Sequence, residues 1–241
     1  MDRGIQLDDV ACVLFDFFGT LVNYNPSRIE QGYARSHDQF LAMGGRLDYG
    51  TFITRWDTTF AHFDRRSDHD DSEFSMWDVG REFFTDVTGS EPDAESLDAF
   101  IDVYLDEWNA GVTDIPGVAA MLAEVGQRHR LAVVTNTHSP FLVPAHLRRM
   151  GIDGAFELVV TSIEVGRRKP HPAIYRHALD KLGLEPRRCV FVGDTVVADY
   201  IGPRAIGMQS LLVDPTGRHA VEHLHHLGHR VASVLDVADV V

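Results

Sequence analysis

"CVLFDFFGTLV", residues 12–22, is an apolar run that stops at an aspartate, passes two aromatic residues and turns at Gly-Thr. Continuous apolar character, without strict alternation, is the pattern of a strand buried on both faces. The run reads as a strand over Val10–Phe15 with Asp16 placed at its carboxyl end. Four more apolar runs follow: Leu131–Thr135, Leu158–Thr161, Cys189–Val192 and Ser210–Val213. Helix-like stretches such as Pro140–Met150 and Pro172–Leu182 separate these four. Strands alternating with helices predict an α/β fold, a Rossmann-like parallel sheet flanked by helices.

The segment between the first and second runs has a different texture. Ser27 and Glu30 form a capping-box pattern ahead of a helix reaching Met43. Phe52, Trp56, Phe60 and Phe63 recur at helical spacing, as do Phe74, Trp77, Phe84 and Val87, then Leu97, Ile101, Tyr104 and Trp108. Four amphipathic helices make a four-helix bundle, and aromatic stripes of this kind form its core. The connecting "FDRRSDHDDSE", residues 63–73, reads as a charged solvated loop, with Asp68, Asp70 and Asp71 as a weak metal alternative. The expected division is residues 1–22 and 111–241 for the sheet domain and residues 23–110 for the helical insert.

Composition narrows the function. A formal charge of −14, from 36 acids and 22 bases, leaves no basic face for a phosphate backbone, so no nucleic acid is expected as a partner. No apolar run approaches the roughly 20 residues of a membrane span, and "MDRGIQLDD" lacks the apolar region of a signal peptide. The expectation is a cytoplasmic protein with a small-molecule substrate and no membrane partner; nothing in the chain specifies an oligomeric state. Cys12 and Cys189 each begin an apolar run and read as core residues in a reducing compartment. The histidine-rich "GRHAVEHLHHLGH", residues 217–229, reads as an irregular exposed helix, with a metal tract as the alternative. Only two of the basic residues are lysines, Lys169 and Lys181.

In an open parallel sheet, ligands collect at the carboxyl ends of the strands. The first run delivers Asp16, Gly19 and Thr20 there, the second Thr135 and Asn136, and the fourth Asp194 with Asp199 shortly after. Lys169 lies in "GRRKPHP", ahead of the helix after the third run. Three acids, one lysine and one hydroxyl at one sheet edge suit attack by a carboxylate, with the ammonium and a divalent metal balancing the charge.

These stretches resemble the four motifs of the haloacid dehalogenase superfamily of hydrolases, in order: "LFDFFGTLV", "LAVVTN", "RRKPHPAIY" and "FVGDTVVADYIGPRAIGM". The helical insert after the first motif is similar to that family's mobile cap. The resemblance implies that Asp16 is a nucleophile forming a covalent aspartyl intermediate, and that Thr135 and Lys169 hold and neutralise the transferring group. It implies that Gly19, Thr20 and Asn136 bind the substrate's phosphate, with backbone N–H groups of the Gly19-Thr20 turn facing it. It also implies Mg²⁺ held by Asp16, Asp194 and the carbonyl of Phe18, with Asp199 ligating or orienting; oxygen donors of this kind suit Mg²⁺.

Two motifs point in different directions. Phosphatases of the family carry a second aspartate, a general acid and base, where this chain has Phe18, and that help is worth roughly a hundred- to ten-thousand-fold. Dehalogenases place an aromatic there, because halide leaves without a proton. Yet "GDTVVAD" keeps both acids of the metal-dependent branch. The leading reading is Mg²⁺-dependent hydrolysis of a small phosphorylated metabolite with an easily departing group, such as an acyl phosphate, or with a proton supplied by His138 or, next in line, His171. The alternatives are a metal-independent 2-haloacid dehalogenase, for which Arg46 or Arg55 would receive halide or carboxylate, and a family member that binds without turnover. Tyr175 matches a dehalogenase position but discriminates little.

Overall fold

The structure, a computed structural model, describes residues 9–24, 32–215 and 229–241. In chain order, β1 spans Cys12–Phe15 and β2 Val22–Tyr24, followed by α1 (Ala34–Ala42), α2 (Tyr49–Asp70), α3 (Met76–Thr88) and α4 (Ala94–Asn109). Then come β3 (Val112–Asp114), α5 (Val118–Val125), β4 (Arg130–Thr135), α6 (Leu142–Arg149), β5 (Leu158–Thr161), α7 (Ser162–Val165) and α8 (Pro172–Leu182). The chain ends with β6 (Cys189–Gly193), a π-helical turn over Val196–Ile201, α9 (Gly202–Ala205), β7 (Gln209–Val213), β8 (Arg230–Val231) and α10 (Val237–Val240). It divides into two compact units, Met1–Asn23 with Asp114–Val241, and Tyr24–Thr113.

The first unit is a six-stranded sheet in the order β5-β4-β1-β6-β7-β8, with every pair parallel. All four residues of β1 are buried, as continuous apolar character requires when helices cover both faces. Phe15 is level with Val133 of β4 and Val192 of β6, so the chain leaves all three strands at one edge. After β1 the chain builds outward on one side through β4 and β5, then crosses back to build β6 and β7 on the other. Asp16 therefore stands at the point where strand order reverses, where open α/β sheets leave a crevice. Cys12 and Cys189 are register partners deep in the sheet, both free, and burial pushes their thiols up to about 12 and about 11.

The second unit is a helical unit whose core is largely aromatic. Phe40, Phe52, Trp56, Phe83, Phe84 and Phe100 pack with ring centroids 5.0–6.3 Å apart, mostly edge to face or tilted, the arrangement aromatic quadrupoles favour. The stripes seen in the sequence are this core.

Two expectations change here. The charged "FDRRSDHDDSE" is not a loop throughout, because α2 continues to Asp70. Phe60, Phe63 and Ser67 keep a buried stripe at helical spacing, so the charges occupy the outward face, and the helix ends at Asp71 with φ +54°. Asp68 and Asp70 are exposed, and among the described residues the carboxylates that could share a metal are elsewhere. Second, α1 begins at Ala34; Ser27 and Glu30 lie outside the described residues, as do residues 217–228 of the histidine tract.

The start of α1 has no side-chain cap from its own N-cap residue, Tyr33. Buried Glu107 of α4 takes that role, accepting from the N–H groups of Arg35 and Ser36 at 2.9 Å each and from the Ser36 hydroxyl at 2.6 Å. Glu107→Ala would strand buried donors, each costing about 1–3 kcal/mol, and a denaturant melt should show that loss. An unchanged midpoint would mean that water replaces the carboxylate.

No helix among the described residues is long and apolar enough to cross a membrane.

Candidate active site

Asp16 emerges from β1 and is 6% exposed. An isolated carboxylate at that depth would be heavily penalised, and Lys169 supplies its counter-charge, with Nζ 2.7 Å from Asp16 Oδ1. The same ammonium lies 2.6 Å from Asp199 Oδ1 and 5.0 Å above the ring of Phe191 on β6. Lys169 is 4% exposed and Asp199 1%, so the triad Asp16–Lys169–Asp199 is a buried ionic unit joining residues 153 and 30 positions apart. Burial opposes the charge on Lys169, but Asp16 and Asp199 outweigh it and hold the ammonium above its ordinary value. Asp199 moves up, pushed first by burial and then by the charge of Asp16, against the pull of Lys169.

Local structure explains how Asp199 gets there. It lies in the π-helical turn after β6; its N–H donates to Thr195 O at 2.7 Å, and its Oδ2 accepts from Thr195 N–H at 2.9 Å. A Cβ on Gly193 would overlap the Asp199 side chain, so only glycine lets that carboxylate fold back over the strand end. Fully buried Tyr175 of α8 donates its hydroxyl to the carbonyl of Ala198 and holds the same turn from below. Tyr175 is thus a structural support for that turn. Asp194 is half-buried beside Gly19, where φ is +82° and a Cβ would lie 2.6 Å from Asp194 Oδ2. Each of Asp16, Asp194 and Asp199 offers a carboxylate oxygen within 4.8 Å of the others.

Thr135 is buried at the end of β4, level with Thr161, and His138 is half-buried in the loop that follows. Asn136 is engaged with the backbone of Lys169: its Nδ2 donates to Lys169 O at 3.0 Å and its Oδ1 accepts from Lys169 N–H at 2.7 Å. The first turn departs from expectation. Gly19 N–H donates to Val22 O at 2.8 Å and Thr20 N–H to Phe17 O at 3.3 Å, so neither amide faces a substrate as expected. The turn consumes them because Phe18 and Val22 form a bridge that closes it, and the Thr20 side chain is wholly buried, its hydroxyl without a hydrogen-bond partner among the described residues.

One neighbour of Phe18 was not singled out from the sequence. The Phe18 ring stands edge-on to Phe17 at 4.9 Å and to His146 at 6.2 Å between centroids. His146 is buried on α6, and burial, followed by the charge of Arg149, lowers its pKa below the ordinary histidine value. Helical spacing placed a signal in plain view, since Leu142, Val143, His146 and Leu147 share one buried stripe.

The model of the haloacid dehalogenase-like hydrolase family matches residues 10–207, which include every residue of this cluster. The chain belongs to that family. Among curated members, it is 26% identical over 209 residues to the ribulose-1,5-bisphosphate 5-phosphatase of Halopiger xanaduensis, covering 86% of this chain and 85% of that one. It is 31% identical over 211 residues to the phosphoglycolate phosphatase of Yersinia pestis, covering 85% and 83%. A 2-haloacid dehalogenase from Pseudomonas syringae pv. Tomato DC3000 shares the fold, with a TM-score of 0.71 over 96% of this chain and 97% of that one at 21% identity. As a haloacid dehalogenase-like hydrolase, the protein is an enzyme.

Proposed function

We propose that this hydrolase is a Mg²⁺-dependent phosphatase acting on a small phosphorylated metabolite through a phosphoaspartyl intermediate at Asp16. The observation that carries the proposal is the buried unit in which Lys169 bridges Asp16 and Asp199 while Asp194 stands close by. Three carboxylates face one ammonium, so the cluster holds more negative than positive charge. Donor atoms within 4.8 Å of one another, all of them oxygen, fit a small hard dication. Asp16, Asp194 and the Phe18 carbonyl would hold Mg²⁺, with Asp199, whose two oxygens already serve Lys169 and Thr195, orienting the group. When bound, the ion would offset the charge of the phosphoryl group and of the carboxylates. Similarity to two phosphatases across most of the chain supports the same reading.

In the proposed reaction a carboxylate oxygen of Asp16 bonds to phosphorus as the bond to the leaving oxygen breaks, and that oxygen leaves with the electron pair. Water then attacks phosphorus, freeing phosphate and restoring the carboxylate. Lys169 neutralises Asp16 and the incoming anion, which otherwise repel, and Thr135 helps hold the phosphoryl group. Phe18 offers no proton, so the favoured substrates have leaving groups that are already weak bases, such as acyl phosphates, unless His138 protonates the departing oxygen. The helical unit would act as the cap domain that selects among them.

Phe18 also supports a second reading, attack by Asp16 on carbon in a 2-haloacid. Of the two arginines that this reading would recruit, Arg55 is paired with Asp86 of α3 within the helical unit. Phosphate release from acetyl phosphate and p-nitrophenyl phosphate, with Mg²⁺ or with EDTA, separates the readings when run beside halide release from 2-chloropropionate. The phosphatase reading expects Mg²⁺-dependent phosphate release, faster from acetyl phosphate. Metal-independent halide release without phosphate release contradicts it.

A further inference from the structure

Asn136 makes both of its side-chain hydrogen bonds to one residue, and that residue is the lysine of the site. The amide donates to the Lys169 carbonyl at 3.0 Å and accepts from the Lys169 N–H at 2.7 Å, gripping the backbone on both sides of its Cα. The segment from Gly166 to His171 connects α7 to α8 and belongs to neither helix nor named strand, and this pair gives the N–H and the carbonyl of Lys169 their partners there. Asn136 is itself anchored. The next residue, Thr137, donates its N–H to Ser162 Oγ at 2.9 Å and accepts from that hydroxyl at its carbonyl at 3.2 Å, and Ser162 is fully buried at the start of α7.

This anchoring matters because of what lies at the far end of the lysine side chain. A lysine stem has four rotatable carbons and an ammonium with no preferred fork geometry. Placing Nζ 2.6–2.7 Å from two carboxylates on different elements requires that the Cα be fixed before the stem is. We propose that Asn136 is a positioning residue, which sets Lys169 between Asp16 and Asp199, and that it is not a ligand of the substrate. The proposal rests on the phosphatase reading only for its activity test.

Lysine is so rare in this chain that a spectroscopic test is direct. Protein labelled with ¹³C,¹⁵N-lysine carries two labelled side chains, exposed Lys181 and buried Lys169. In the wild-type protein Lys169 should give a slowly exchanging ammonium resonance, with Lys181 as internal reference. Asn136→Ala should shift that resonance or speed its exchange while leaving Lys181 and the circular dichroism unchanged. With p-nitrophenyl phosphate and Mg²⁺, kcat should fall by about a hundredfold, the scale of a 1 Å misplacement, with KM unchanged. Asn136→Asp keeps the acceptor for the Lys169 N–H and loses the donor, so its effects should be intermediate; it carries the same readouts should the alanine variant not fold. An unmoved Lys169 resonance with raised KM and unchanged kcat would overturn the proposal and make Asn136 a substrate ligand. A wild-type protein that releases no phosphate counts against the phosphatase reading alone, and the lysine resonances then decide the role of Asn136.

Discussion

Asp16→Asn should reduce phosphate release by about ten-thousand-fold or more, because it removes the nucleophile from a unit whose members act together. The substitution preserves shape and leaves Lys169 its contact with Asp199, so the folded state should persist in circular dichroism and in a thermal melt. The amide also ends the like-charge contribution of Asp16 to Asp199, whose carboxyl should then ionise more readily. Loss of turnover with an intact melt is the expected pair of results. An Asp16→Asn protein that kept even a tenth of its activity would place the nucleophile elsewhere.

Lys169→Met should damage both activity and stability. The substitution keeps most of the stem's volume and deletes the charge, leaving Asp16 and Asp199 buried without their cation. Removing one member of a buried ionic group costs about 3–5 kcal/mol. At roughly 2–4 °C per kcal/mol for a chain of this size, Tm should fall by roughly 6–20 °C in EDTA. The deficit has a pH dependence with a definite sign. Asp199 is already raised above its ordinary value, and without Lys169 it rises further. The folded protein then holds a proton that the unfolded chain releases, so the variant should recover stability as pH is lowered from about 8 toward about 5. A melt insensitive to the substitution would show that the pair is not an isolated ionic unit and that solvent reaches it.

Much of this was visible in the residues themselves. Strands β1 and β5 and helix α8 stand where continuous apolar runs, Pro172 at the first helical position and Gly183 just past the end put them. Asp16, Lys169 and Asp199, far apart in the chain, could be grouped because parallel topology brings strand ends to one edge. The features that escaped depend on partners that no local pattern encodes. Nothing in "TNTHSP" announces that the amide of Asn136 closes on a backbone 33 residues away. The outward charges of "RRSDHD" concealed the continuation of α2, because only Phe63 and Ser67 carry the helical repeat past Phe60. The amides of Gly19 and Thr20 were expected to face a ligand, but a closed turn satisfies them locally, as backbone donors in a buried turn must be satisfied. Glu107 as a remote cap for α1 is of the same kind, a contact 71 residues long.

The proposed reaction passes through a covalent bond between Asp16 and phosphorus. Acid quenching of the wild-type protein during turnover of acetyl phosphate with Mg²⁺, followed by peptide mass spectrometry, reads that bond directly. One phosphoryl group is expected on the peptide containing Asp16, absent from the Asp16→Asn protein treated in the same way. An Asp16 peptide that stays unmodified while phosphate is being released would contradict it.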